Sequence, residues 1–267
     1  MLIKYIRYIY LCVALHCGAK IIIIFNSKNL FFDFLYFVLQ VRAETVLLRI
    51  MKIAIFDLDG TLLNTITDLG YACNYALQAF GFEQHPISDY HKLVGNGVNK
   101  LLERALPEGY KTEENILQLR SAFVPYYNEH NKIYTHPYDG IQDMLYSLNQ
   151  NGYKLAVASN KYQAATESIV RYFFGDLFDV ILGERSGCPR KPDPQIVRDI
   201  LAALGADNVE KNNVFYIGDS DVDINTAHAA CLPAIACTWG FCSRETLQAL
   251  NPEYIIDSTE EILKLLL

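Results

Sequence analysis

Six short apolar segments, separated by stretches with helical periodicity, constrain the fold of this chain more than any other feature. Most are continuous apolar runs rather than alternating ones, as expected for parallel strands that helices cover on both faces. The sequence therefore predicts an α/β fold in which a parallel sheet carries helices on both of its faces. The predicted strands are residues 52–57, 154–159, 179–183, 214–219, 234–239 and 254–257.

Apolar residues at helical spacing predict the helices that connect these strands. One helix is expected around 141–148, and Gly152 lies just beyond its end. Another is expected over 196–204, with prolines near its start and Gly205 at its end. A last helix is predicted over 259–266.

One connection is much longer than the others. The stretch 65–135, between the first and second strands, carries three apolar stripes at helical spacing, and a structureless loop of that length is uncommon in a compact domain. We therefore predict a helical cap over 65–135, inserted into a core made of 51–64 and 136–267. The stripes are Leu69, Cys73, Ala76 and Phe80; Val98, Leu101, Leu102 and Ala105; and Ile116, Leu119 and Phe123.

The first fifty residues have a different composition from the rest of the chain. Residues 1–50 hold six Lys/Arg and two Asp/Glu, whereas the remainder holds 17 and 28. Three interpretations stay open: a signal peptide, a membrane anchor, or a segment outside the natural protein, which would then begin at Met51. We favour a start at Met51, because the first strand follows it at once. No membrane association is expected unless residues 1–50 are present and retained.

Net charge and cysteine usage narrow the class of protein. A formal net charge of −7 argues against a nucleic-acid binder, which usually presents a basic face. Seven cysteines without a C-x-x-C pair indicate free thiols in a reducing compartment, so we predict a cytoplasmic protein. His228, Cys231 and Cys237 could form a zinc site, but this interpretation is weaker than one in which the cysteines are small, buried apolar residues.

Polar residues cluster where the predicted strands end. Ligands of open parallel sheets bind outside the carboxyl ends of the strands. If the strands are neighbours, four carboxylates, a hydroxyl and a lysine converge there. The clusters are Asp57-Leu58-Asp59-Gly60-Thr61, Ser159-Asn160-Lys161, Arg190-Lys191-Pro192-Asp193-Pro194 and Gly218-Asp219-Ser220-Asp221-Val222-Asp223.

Such a cluster suits phosphate chemistry. Several carboxylates tolerate one another around a cation, and oxygen ligands without histidine favour Mg²⁺. Ser159 can donate a hydrogen bond to a phosphate oxygen, Lys191 can neutralise another, and Gly60 lets the backbone turn close to the ligand. Asp57 can then attack phosphorus to give an aspartyl-phosphate, while Asp59 moves protons as general acid and base.

These residues resemble the motifs of the haloacid dehalogenase superfamily, in the order in which that family carries them. The matching segments are "DLDGT" (57–61), Ser159 in "ASNK", Lys191 in "RKPDP" and "GDSDVD" (218–223). The resemblance runs from Met51 to the end of the chain, and implies a Rossmann-like core with an α-helical cap.

The resemblance also implies roles for single residues. Asp57 corresponds to the nucleophile, Asp59 to the general acid/base, and Lys191 to the lysine that stabilises the phosphorylated intermediate. Mg²⁺ would be held by Asp57, the backbone carbonyl of Asp59 and Asp219, and Asp223 would lie near the metal or hold Lys191. Thr61, Ser159, Asn160 and Gly60 are placed at the phosphate site. Lys161 is a weaker candidate than Lys191, because an exposed lysine is at least as consistent with its position.

Within the superfamily, the chain most resembles phosphoglycolate phosphatases, through "DGTLLNT", "LVGNGVNKLLERAL" (93–106) and "CTWGF" (237–241). Asn96 and Gly97 of the second segment could bring backbone amides to the substrate, or merely break a helix. We predict a Mg²⁺-dependent phosphatase for a small phosphorylated metabolite, phosphoglycolate first, in a monomer or homodimer. A phosphosugar mutase and a catalytically retired binding or regulatory protein are the alternatives.

Overall fold

The computed structural model describes residues 51–267. The predictions made for residues 1–50, whether leader, anchor or a segment preceding the true start, lie outside the described residues. Within the described range, no helix combines the length and apolar character needed to cross a membrane.

A six-stranded sheet forms the centre of the fold, and each strand runs parallel to its neighbours. The strand order is β5-β4-β1-β6-β7-β8. A separate antiparallel pair joins β2 to β3. The predicted α/β fold with a parallel sheet is confirmed. The strands are β1 (Ile53–Phe56), β2 (Leu63–Asn64), β3 (His136–Pro137), β4 (Lys154–Tyr162), β5 (Val180–Glu184), β6 (Val214–Gly218), β7 (Ala234–Cys237) and β8 (Tyr254–Ile256).

Ten α-helices connect the strands of the described part. The predicted helix at the end of the chain is observed over the same residues, and the two other predicted core helices are present with small differences at their ends. The helices are α1 (Ile66–Ala79), α2 (Tyr90–Leu93), α3 (Val98–Ala105), α4 (Glu113–His130), α5 (Ile141–Gln150), α6 (Gln163–Phe174), α7 (Gln195–Ala203), α8 (Asp221–Ala229), α9 (Arg244–Ala249) and α10 (Thr259–Leu266).

The central strand β1 shows why the sheet is apolar on both faces. Ala54 and Phe56 point into one core cluster, which includes buried residues of α5, α6 and α10. Ile53 and Ile55 point into a second cluster on the opposite face, formed with α7, α8 and α9. Because side chains alternate along a strand, helices on both faces require continuous apolar runs such as this one.

Helices α1 to α4 form the segment inserted between β2 and β3. Helix α1 packs against α4, and α3 packs against the same helix. The predicted stripes lie on the packed faces, and of their residues Ile116 is partly buried and Phe80 is exposed at the end of α1. Asp68, near the start of α1, joins the two ends of the inserted segment. Its carboxylate accepts hydrogen bonds from Tyr134 N, Thr135 N and Thr135 Oγ1, just before β3.

Strand β4 is longer than predicted. The sequence places the strand end at Ser159, yet the strand continues to Tyr162, with a shift of register against β5 after Ala158. Polar residues at the end of an apolar run normally indicate a turn. Here Ser159, Asn160 and Lys161 are buried inside a strand, because each has a polar partner at the site described below.

We predict that the Asp68→Ala variant is less stable by about 2–4 kcal/mol, because two backbone N–H groups and a buried hydroxyl lose their acceptor. The Asp68→Asn variant keeps one acceptor oxygen and should lose about half as much. Urea unfolding measures both values. Equal stability of Asp68→Ala and the parent chain would contradict the role given to this carboxylate.

Candidate active site

A cavity of about 390 Å³ lies at the carboxyl ends of the strands, between the core and the inserted helices. It forms there because β1 lies between β4 and β6 in the sheet. The residues that follow or end these strands are therefore brought together. Of the predicted site residues, those that line the cavity are Asp57, Asp59, Asn96, Gly97, Ser159, Asn160, Lys191 and Asp219.

Lys191 forms the centre of the buried polar network. Its ammonium group donates to Asp57 Oδ1 at 2.8 Å, to Asp223 Oδ1 at 2.7 Å and to the carbonyl oxygen of Ala158 at 2.8 Å. Burial alone would lower the pKa of Lys191, but the carboxylates of Asp223 and Asp57 raise it well above its usual value. Lys191 is therefore a permanent cation at the end of β1.

Asp219 is fully buried against backbone on two sides. Its carboxylate accepts hydrogen bonds from Thr61 Oγ1 and from the backbone N–H of Phe241, both at 2.8 Å. Gly60 has a φ of +93°, and a Cβ there would lie 2.3 Å from Asp219 Oδ2. A Cβ at Gly240 would lie 2.2 Å from the Cβ of Asp219. Both glycines are required for this close approach.

Three carboxylates converge beside the cavity. Oxygen atoms of Asp57, Asp219 and Asp223 lie within 4.8 Å of one another. Burial, followed by the charge of Asp223, raises the pKa of Asp57 to about 7, despite the opposing effect of Lys191. Burial raises the pKa of Asp219 well above its usual value, and the charges of Asp223 and Asp57 act in the same direction.

This donor set fits a divalent cation. One ammonium group compensates three buried carboxylates, so the cluster has an excess of negative charge, and all three side chains offer oxygen. Oxygen-only sites are typical of hard cations such as Mg²⁺. The side chain of Asp59 is not part of the cluster; only its backbone carbonyl was predicted as a ligand.

Asp223 is held from several sides. Its Oδ1 accepts from Lys191, and its Oδ2 accepts from the hydroxyl of Ser220 at 2.5 Å. Ser220 and Asp223 also form a reciprocal cap at the start of α8. The sequence left two roles open for Asp223, near the metal or holding Lys191, and the structure shows that it holds Lys191 and lies within the carboxylate cluster.

Asp59 has a cationic partner of its own. Lys161 Nζ donates to both carboxylate oxygens, at 2.8 and 2.9 Å, and Thr65 Oγ1 donates to Oδ1 at 2.7 Å. The sequence treated Lys161 as a weaker candidate that could equally be exposed, and that expectation is wrong, because its side chain is only 5% exposed. The signal that could have revealed it is its position two residues after Ser159, at the same strand end.

Two predicted phosphate contacts have other partners in the structure. Thr61 is fully buried and its hydroxyl donates to Asp219, so it supports that carboxylate instead of facing the cavity. The amide of Asn160 exchanges two hydrogen bonds with the main chain of Lys191. Both side chains therefore order the site through neighbouring groups. Ser159 is buried, lines the cavity, and its Oγ accepts from Lys161 N at 3.2 Å.

The loop that contains Asn96 and Gly97 forms the opposite wall of the cavity. Arg104 of α3 fixes this loop by donating to the carbonyl oxygens of Leu93, Val94 and Gly95 and to Asn96 Oδ1. The loop therefore has a defined shape. The sequence had left open the alternative that these residues merely break a helix. Asn96 and Gly97 both have positive φ values, 62° and 83°.

Comparison with known proteins identifies the family. The model of the haloacid dehalogenase-like hydrolase family matches residues 54–237. Phosphoglycolate phosphatases from Aquifex aeolicus and Haemophilus influenzae are 30% and 32% identical, over 81% and 80% of this chain and 97% and 98% of their own. A crystal structure from Haemophilus somnus, described as a predicted phosphoglycolate phosphatase, is 30% identical with a TM-score of 0.74, covering 81% of this chain and 98% of its own.

We predict that the Lys191→Met variant loses about 3–5 kcal/mol of unfolding free energy at pH 7.5 without metal, because breaking a buried ion pair leaves carboxylates uncompensated. The matched control is Lys154→Met, which removes an exposed pair with Asp179 and should cost less than about 1 kcal/mol. Urea unfolding measures both. Similar losses for the two variants would show that Lys191 does not balance this cluster.

Proposed function

The chain belongs to the haloacid dehalogenase-like hydrolase family and is a phosphatase of that family, and we propose that it hydrolyses a small phosphomonoester with the help of Mg²⁺. The observation that carries this proposal is the carboxylate of Asp57. It stands at the end of the central strand, faces the cavity and is paired with Lys191. Phosphoglycolate is the leading substrate, because the relatives at about 30% identity are named for that activity.

In the first step, a carboxylate oxygen of Asp57 attacks the phosphorus atom of the substrate. A P–O bond forms to Asp57 as the bond between phosphorus and the substrate alcohol breaks. Asp59, two residues further on, protonates the departing alkoxide oxygen. Lys191 balances charge on Asp57, and Ser159, which lines the cavity, would donate a hydrogen bond to a phosphoryl oxygen.

In the second step, Asp59 accepts a proton from a water molecule that attacks phosphorus. Inorganic phosphate leaves and the Asp57 carboxylate is restored. The carboxylates of Asp57 and Asp219 and the backbone carbonyl of Asp59 are the groups that would hold Mg²⁺. Bound Mg²⁺ supplies charge neutralisation to the phosphoryl group throughout.

The modest size of the cavity supports a small substrate. Its volume of about 390 Å³ is near the lower end for ligand pockets, and the loop around Gly97 lines it on the side of the cap. We also propose a cytoplasmic location and a small phosphorylated metabolite as the binding partner.

Phosphate release from a panel of phosphomonoesters tests which substrate the chain hydrolyses. Isomerisation of a sugar phosphate without phosphate release would favour a mutase instead.

We predict that Asp57→Asn abolishes phosphate release, because an amide cannot form the acyl-phosphate, while circular dichroism shows an intact fold. Asp59→Asn should slow turnover of an alkyl phosphate by at least about 10²-fold, as expected when a general acid and base is removed. Steady-state phosphate release in Mg²⁺ measures both effects. Near-full activity of Asp57→Asn would overturn the mechanism.

We also predict a pH-dependent requirement for Mg²⁺. The pKa of Asp57 is raised from 3.8 to about 7 by burial and by Asp223, so the folded metal-free chain retains this proton to higher pH than the unfolded chain. That stabilising contribution is complete below about pH 4 and is lost as the pH rises through 7. Because Mg²⁺ would bind this carboxylate and that of Asp219, whose pKa is also raised, its affinity should fall by at least about tenfold per pH unit below 7.

Thermal unfolding with and without Mg²⁺ at pH 5.5, 7 and 8.5 measures this linkage. The stabilisation by Mg²⁺ should be largest at pH 8.5 and smallest at pH 5.5, and Asp57→Asn is the control that should reduce the difference. Equal stabilisation at all three pH values would contradict the assignment of Asp57 to the metal.

A further inference from the structure

Lys161 is a buried lysine that the mechanism above does not use. It lies near the end of β4, and its side chain is 5% exposed. Lysine is rarely buried to this extent unless it is paired, and the partner here is the proton carrier of the proposed reaction. Both oxygens of Asp59 accept a hydrogen bond from its ammonium group.

The same ammonium group contacts the cap. Lys161 Nζ lies 4.9 Å from the centre of the Tyr127 ring in α4, within the range of a cation–π interaction. Tyr127 is 1% exposed, and its hydroxyl forms no hydrogen bond in the part of the chain that the structure describes. The ring of Tyr127 is therefore the group through which the cap contacts the ammonium group of Lys161.

We propose that Lys161, supported by the ring of Tyr127, is the positioning residue for the carboxyl group of Asp59. This inference rests on the proposed function, in which Asp59 transfers protons. Lys161 contacts both oxygens and Thr65 contacts one, so together they fix the rotation of the carboxyl group. Without Lys161, the hydroxyl of Thr65 is the one side-chain partner of this carboxyl group that remains among residues 51–267, and the carboxyl group can turn away from the leaving oxygen.

The arrangement also connects this positioning to the cap. Asp57 and Lys191 belong wholly to the core, whereas the support of Lys161 comes partly from α4 of the inserted segment. Asp59 is therefore fully oriented only when Tyr127 is against Lys161. Because misplacing a reacting group by about 1 Å can cost about 10²-fold in rate, the loss of this support should be measurable.

A comparison of two leaving groups tests this proposal, because a merely structural role for Lys161 would not discriminate between them. Protonation of the leaving oxygen matters for an alkyl phosphate and very little for 4-nitrophenyl phosphate, whose leaving group is stable as an anion. In rapid-quench experiments with Mg²⁺, Lys161→Met should slow the first turnover of an alkyl phosphate by at least about 30-fold. The first-turnover release of 4-nitrophenolate should change by less than about threefold.

The matched control is Lys154→Met at the opposite end of the same strand, which should leave both first-turnover rates unchanged. A double-mutant cycle with Asp59→Asn then identifies the route of the effect. If Lys161 acts through Asp59, adding Lys161→Met to Asp59→Asn should cause no further loss. An additive loss, or an equal loss for both substrates, would overturn the inference and indicate direct contact with phosphate.

A second pair of variants applies even if Lys161→Met fails to fold. Tyr127→Phe keeps the ring and should keep the parent rates, whereas Tyr127→Leu removes the ring and should show the selective loss for the alkyl phosphate. Equal rates for the Leu and Phe variants would overturn the part assigned to the ring. Failure of the proposed function is separately visible, because Asp57→Asn would then retain activity whatever the Lys161 variants do.

Discussion

The hydrogen bonds of the Lys191 ammonium group are the interaction on which the site depends. This single cation joins the end of β1 through Asp57, the backbone of β4 through Ala158, and the start of α8 through Asp223. Three buried carboxylates could not be packed within 4.8 Å of one another without a compensating charge. The strand order β4-β1-β6 brings the carboxylates together, and Lys191 makes their proximity tolerable.

Each aspartate of the first motif has its own lysine, and the two pairs differ in their surroundings. The Asp57–Lys191 pair is formed by residues of the core alone, which suits the fixed position of the nucleophile in the proposed mechanism. The Asp59–Lys161 pair lies against Tyr127 of α4, so its geometry depends on the cap as well. In the proposed mechanism, a cap that excludes water in one step and admits it in the next would in this way also control the orientation of Asp59.

Strand patterns and motif order were sufficient to predict the fold and the residues that meet at the sheet edge, because continuous apolar runs indicate parallel strands and ligand sites lie at their carboxyl ends. The hydrogen-bond partners of the polar side chains were not predictable in the same way. Lys161 and Asp59 are 102 positions apart in sequence, and Asn160 and the main chain of Lys191 are 31 apart. Sequence reasoning ended β4 at its first polar residue, since nothing local shows that Asn160 and Lys161 find buried partners.

The glycines beside Asp219 explain why the motifs contain more than their acidic residues. Asp219 is enclosed between the backbone at Gly60, which belongs to the first motif, and the backbone at Gly240, which follows Trp239. A side chain at either position would overlap its carboxylate or its Cβ, so the acidic group could not reach its place beside Asp57. Trp239 reinforces the same contact, since its indole N–H donates to the carbonyl oxygen of Thr61 at 3.0 Å. The charge cluster and the glycine turns are thus one structural requirement, because Asp219 can join the other carboxylates only where the backbone at Gly60 and Gly240 carries no side chain.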